Sequence, residues 1–322
     1  MLFTRFAAVL AAAGMVHAQR PSNVSICDYY TTALLQNNTA ENQYKLLTLL
    51  VNTAVIGNYT TPNVGVAVPG ILTPGTFNGT AVKLAPYFTG ALASTNSGGT
   101  SGQSVNFLDG GGAAPLQKNM PAEDNTSNQY FLLTHLYSFF GALLKCSGYS
   151  QPSFPSYAGS ASMYDVHKFM ALDAAEVGYF IAQVALAGAS FGVAESDLMA
   201  VGAALSGLFA QRCSPPTEVV PPQGSALQAI CIQSDCPLAD GAMCGLYDTV
   251  VEPANATATA GGTTSSSATA TTTGGVTGTG TGTGTGGSST GTAAATPTST
   301  AGAASVGWSL MAIAGGFVAL MI

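Results

Sequence analysis

Charged side chains are scarce in this chain. Asp, Glu, Lys and Arg make up 7% of the 322 residues, 8 of them basic against 15 acidic, for a formal net charge of -7. The basic residues are scattered, so there is no positive patch or stripe, and nucleic acid is excluded as a partner. Histidine is rarer still, with 3 in all. None lies near Cys231, Cys236 and Cys244, whose spacing is not a paired C-x-x-C, which disfavours a zinc site there. Alternating apolar and polar runs are also missing, so no strand ladder is expected and the class is mainly α. Part of the scarcity is local. Residues 251–305 form a stretch that from 254 is almost entirely Thr, Gly, Ser and Ala, with TGTGTGTG at its centre. Such a segment has nothing to bury, so it reads as a disordered, O-glycosylated stalk.

What is present begins at the ends. MLFTRFAAVLAAAGMVHAQ has a short basic start at Arg5, a small apolar core and a small-x-small site at Val16-His17-Ala18. Residues 1–18 therefore read as a secretory signal peptide. Cleavage after Ala18 removes His17 and leaves His135 and His167. At the other end, small residues around Ser299 to Gly302, a short spacer and an apolar tail at 306–322 read as a GPI-attachment signal, with Ser299 or Gly302 as the anchor residue. The alternative, a tail-anchored helix, has a span that is short and lacks a following Lys or Arg. Asn23, Asn37, Asn58, Asn78, Asn125 and Asn255 each open an N-x-Ser/Thr sequon. The 6 cysteines, Cys27, Cys146, Cys213, Cys231, Cys236 and Cys244, are even in number and suit an oxidising compartment. They read as disulfides whose pairing the sequence leaves open. The expected location is the outer face of the plasma membrane or the cell wall. The lipid would be the membrane contact, and wall polysaccharide a candidate partner.

The folded part is then residues 19–250, one domain's worth of chain. ENQYKLLTLLVNTAVI, from Glu41 to Ile56, has helical apolar spacing and is stopped by Gly57. Residues 60–118 are rich in Gly, Pro, Asn, Ser and Thr and read as a long irregular insertion with turns or short helices. Ser127 to Leu144 is apolar and aromatic, with Phe131, His135, Phe139 and Leu143 four apart, and reads as a helix buried on most sides. Asp173 and Glu176 make a capping-box start for a helix that Gly192 ends. A further helix starts near Glu195 with Leu198, Val201, Leu205, Leu208 and Phe209 inward. The chain from about 213 reads as a short disulfide-tied extension.

Between the two apolar stretches lies PSYAGSASMYDVHKF. Phe139 and Phe140 close one helix. Tyr157-x-Gly159 follows, then Met163 and His167, and then two helices broken at Gly192-Val193. This order, over roughly residues 128–213, resembles the C-terminal two thirds of a truncated globin. The resemblance implies that His167 is the proximal ligand of a haem iron, with its second ring nitrogen held by a carbonyl. It implies a pocket that includes Phe139, Phe140, Met163, Leu136 and His135, with Phe169, Phe180 and Val184 also on its lining and His135 at a haem edge or in solvent. Leu132 and Leu136 stand nearest the ligand-facing positions of the distal helix, so a polar group that holds oxygen is not expected. The family's double glycine after that helix is replaced by Lys145-Cys146-Ser147-Gly148.

Two other patterns carry no chemistry. Gly188-Ala-Ser190-Phe-Gly192 matches a nucleophile elbow, but a helix precedes it and no histidine follows. Asp165-x-His167 puts its two groups on different helix faces. The expectation is a globin-like helical ectodomain, resembling fungal GPI-anchored surface proteins, that binds haem for a gas-binding or peroxidase-like redox role. The alternative is a non-catalytic wall or adhesion protein with the same helical shell and no haem.

Overall fold

The computed structural model describes residues 20–61, 63–96 and 99–256. The leader at 1–18, the Thr/Gly/Ser-rich stretch beyond 256, Ser299, Gly302 and the tail at 306–322 lie outside the described residues. Among the described residues no helix is long and apolar enough to cross a membrane.

The described body is mainly helical. Five helices start where a side-chain oxygen accepts from a free backbone N–H of the first turn. Ser25 caps α1 (Ile26–Leu35) through Asp28 N at 3.0 Å, and Thr39 caps α2 (Ala40–Ile56) through Asn42 N at 3.2 Å. After the short α3 (Ala85–Phe88) and α4 (Ala113–Leu116), Ser127 caps α5 (Asn128–Leu143). Ser162 caps α6 (Met163–His167). Asp173 and Glu176 form the expected capping box at the start of α7 (Ala174–Ser190). Ala194 precedes α8 (Glu195–Phe209) without a side-chain cap. Gly57 closes α2 at φ 87°, where a Cβ would strike the Val68 carbonyl.

Helix α2 is the centre of the packing. It lies against α1, α5 and α7, and α7 lies in turn against α8. The buried side chains between them include Leu47, Val51, Tyr137, Phe154, Val177 and Leu205. Tyr137 Oη donates to Asn52 Oδ1 at 2.6 Å, and Asn52 Nδ2 donates to Leu116 O at 3.2 Å, so one polar chain ties α5, α2 and α4. The three disulfides pair Cys27 with Cys146, Cys213 with Cys244 and Cys231 with Cys236. The first bridges α1 to the end of α5. The other two hold the C-terminal extension, whose Ile230 and Cys231 amides donate to Phe209 O and whose Ile232 amide donates to Leu172 O.

Four features differ from expectation. Helix α1 has no sequence counterpart above, because its short run of apolar spacing is too weak a signal. A small antiparallel hairpin exists after all, β1 (Gly75–Phe77) with β2 (Thr80–Val82), turned at Asn78-Gly79 and packed on α7. Helix α5 is not buried on most sides at its start, since Phe131 is 51% exposed. The body also continues past 250: Ala93 N donates to Ala254 O and Ala256 N to Ala91 O, each at 2.9 Å.

Candidate functional site

The helices leave a cavity of about 500 Å³, within the range of roughly 300–1,000 Å³ usual for small-molecule sites. Leu50, Val51, Ala54 and Val55 of α2 form one side. Leu132, His135, Leu136, Phe139 and Phe140 of α5 form the next. Met163, Val166 and His167 of α6 and Val177, Phe180 and Val184 of α7 complete the helical lining. Of the side chains picked out from the sequence, His135, Leu136, Phe139, Phe140, Met163, His167, Phe180 and Val184 line one cavity, whereas Phe169 is not part of its lining.

The wall that the sequence did not suggest comes from the insertion. Leu84, Tyr87, Phe88, Ser94, Thr95, Val105 and Phe107 all line the cavity. Their only sequence signal is a set of short apolar pieces among Gly, Pro and Thr, with no period to follow. Asn128 and Phe131, in the first turn of α5, also line the cavity and are exposed. Ser94 Oγ is buried and has no hydrogen-bond partner among the described residues.

His167 lies deep in the protein yet keeps part of its surface open to the cavity. Its Nδ1 is 2.8 Å from Met163 O. A carbonyl oxygen only accepts, so Nδ1 carries the proton, and the neutral ring leaves a lone pair on Nε2. Nε2 has no hydrogen-bond partner among the described residues. Burial pulls His167 below the ordinary 6.5, against the Met163 hydrogen bond, which favours the charged form. His135 is also pulled down by burial, and its ring meets Tyr157 edge-on at 5.5 Å. Tyr157 in turn packs edge-on against Phe139 at 5.4 Å and donates to Ser160 O at 3.0 Å. Gly159 is required there, because a Cβ would overlap the Tyr157 ring.

The charged group on the cavity wall is Glu176, whose carboxylate also closes the capping box. It accepts from Asp173 N at 3.1 Å, and the Tyr87 hydroxyl lies 3.5 Å away. Burial raises its carboxyl above 4.5. Asp165 points elsewhere and pairs with Lys168 at 3.5 Å. Ser190 is buried at the end of α7 and donates to Ala187 O at 2.7 Å, so it is a helix residue and not an exposed nucleophile.

Among the described residues no group of three or more His, Cys, Asp or Glu side chains could hold a metal ion. An iron bound here would depend on His167 and on a macrocycle for its remaining ligands. The asparagines of all the sequons are exposed. No protein-family model, curated protein or solved structure matches the chain.

Proposed function

We propose that this is a haem-binding domain of globin-like architecture in which His167 would hold the iron. One observation carries the reading. His167 presents an unpartnered Nε2 in an apolar cavity, with its Nδ1 already committed to the Met163 carbonyl. That arrangement selects the neutral tautomer that iron requires and fixes the ring's orientation before any ligand enters. The packing of α2 on α5 and of α7 on α8, with α2 against α7, gives a mainly helical body around this cavity, while the globin-like comparison itself rests on the order of residues over 128–213.

Bound haem would supply an iron that takes a diatomic ligand or exchanges an electron. The chain's own contribution is to hold and exclude. Phe139, Phe140, Phe180 and Val184 are apolar lining that would exclude water around a bound haem. Ser94, Thr95 and Asn128 are the neutral polar groups that the macrocycle's carboxylates would meet, since no Lys or Arg lines the cavity among the described residues. On the far helix Leu132 and Leu136 offer no hydrogen bond to a bound oxygen species. The reading is therefore haem binding with a redox or gas-contact role, displayed at the cell surface, and not oxygen storage.

The test is a hemin titration of the secreted chain. A Soret band that saturates near one haem per chain supports the reading. A folded, helical protein that shows only the absorption of free hemin, and is colourless once unbound hemin is removed, overturns it and leaves the haem-free surface protein as the account.

A further inference from the structure

The wall of the cavity that comes from the insertion is held by an extended segment, residues 89–95, that follows α3 directly. On one side it pairs with 103–107, through the Thr89–Asn106 and Thr95–Gln103 bridges and the Phe107 N to Phe88 O bond of 2.7 Å. On the other side it pairs with the last described residues of the chain. Leu92 lies opposite Asn255, flanked by Ala93 N to Ala254 O and Ala256 N to Ala91 O, each 2.9 Å. Ser94 and Thr95, next along this segment, line the cavity, as do Phe88 just before it and Val105 and Phe107 on the neighbouring strand. Phe131 and Asn128, both exposed, line the same cavity. Residues 254–256 are thus the third strand of the only β-type layer that covers the cavity among the described residues, and they lead directly into the Thr/Gly/Ser-rich stretch.

We propose that residues 254–256 are a latch on this wall, so that a pull on the chain beyond 256, or loss of residues 254–256 themselves, frees residues 88–107 and speeds passage of a small apolar ligand into and out of the cavity. The coupling is carried by few bonds. A segment held by isolated ladder hydrogen bonds, with exposed neighbours, opens locally at far lower cost than the helices beneath it. The sequon asparagine Asn255 lies on the latch itself, with its side chain exposed. The inference concerns access and does not rest on haem as the occupant.

The experiment uses the full-length chain with Val184→Cys as a reporter, since Val184 is 5% exposed and lines the cavity. The rate of labelling by a small maleimide reads how often the wall opens. Ala256→Pro removes the amide that donates to Ala91 O, and Ala256→Ser keeps it. The parent and both variants also carry Asn255→Gln, so that none bears a glycan there. We expect Ala256→Pro to label about fivefold faster, the factor that follows from one net backbone hydrogen bond, and Ala256→Ser to match the parent. Equal rates in all three overturn the latch. A second measurement needs neither the reporter nor the proline. Leu92→Cys with Asn255→Cys joins a directly opposed, non-hydrogen-bonded pair, whose side chains lie close, and should slow amide exchange across 88–107 while leaving α7 and α8 unchanged. No slowing contradicts the proposal. If labelling and exchange respond as expected but hemin never binds, the haem reading fails and the latch stands.

Discussion

At the scale of single residues, His167 is the group on which the account turns, and its protonation has a consequence for stability. Burial holds its folded value below the ordinary 6.5. As pH falls through 6.5 the unfolded chain takes up a proton that the folded chain resists, so stability is complete above that value and declines below it. Urea denaturation of the haem-free protein between pH 7.5 and 5.5 should show this decline. His167→Leu should flatten it in part, since His135 contributes in the same sense. An identical slope in the variant would contradict the buried, neutral state. Tyr137 tests a different group. Its hydroxyl is the donor to Asn52 Oδ1, and Tyr137→Phe leaves that buried oxygen unpaired. A loss of about 1–3 kcal/mol is expected in the same urea experiment.

At the scale of elements, the bridge from α1 to the end of α5 closes a loop of 119 residues. Replacing both Cys27 and Cys146 by Ser should lower stability by about 2–5 kcal/mol, read as a lower urea midpoint. Gly141, inside α5, sits where a Cβ would overlap the Phe154 ring, which is fully buried. Gly141→Ala should therefore destabilise, even though alanine is the better helix former. How much of this was legible in the sequence depends on whether the signal is local. The start of α7 at Asp173 and Glu176 and the end of α2 at Gly57 were readable because a cap is written within four residues. Helix α1 was not, since Ser25 and Asp28 alone are a short signal. The side chains on α5 and α6 that line the cavity were readable through their order and spacing. Tyr87, Ser94 and Phe107 were not, because they reach the cavity through long-range pairing that has no sequence period. The disulfide partners were equally beyond reach, as cysteine spacing does not determine connectivity.

At the scale of the molecule, composition separated a foldable body from a Thr/Gly/Ser-rich stretch but placed the border a few residues early. Ala254 and Ala256 belong to the body through their bonds to Ala93 and Ala91. A chain ending at 250 should be less stable than one ending at 258, by about 1–2 kcal/mol for the two lost hydrogen bonds, in a thermal melt of both. Melts that coincide would show that the pairing adds nothing. The scarcity of charge recurs at the site, where Glu176 is the charged side chain on an apolar wall. On the proposed reading such a cavity would hold haem through shape and through His167, the group that would reach the iron. The most direct test of this claim is the absorption spectrum of hemin-loaded His167→Gly with and without added imidazole. The account predicts that the variant loses the parent spectrum and that imidazole, filling the space of the missing ring, restores it. A His167→Gly protein whose Soret band matches the parent without imidazole would contradict it.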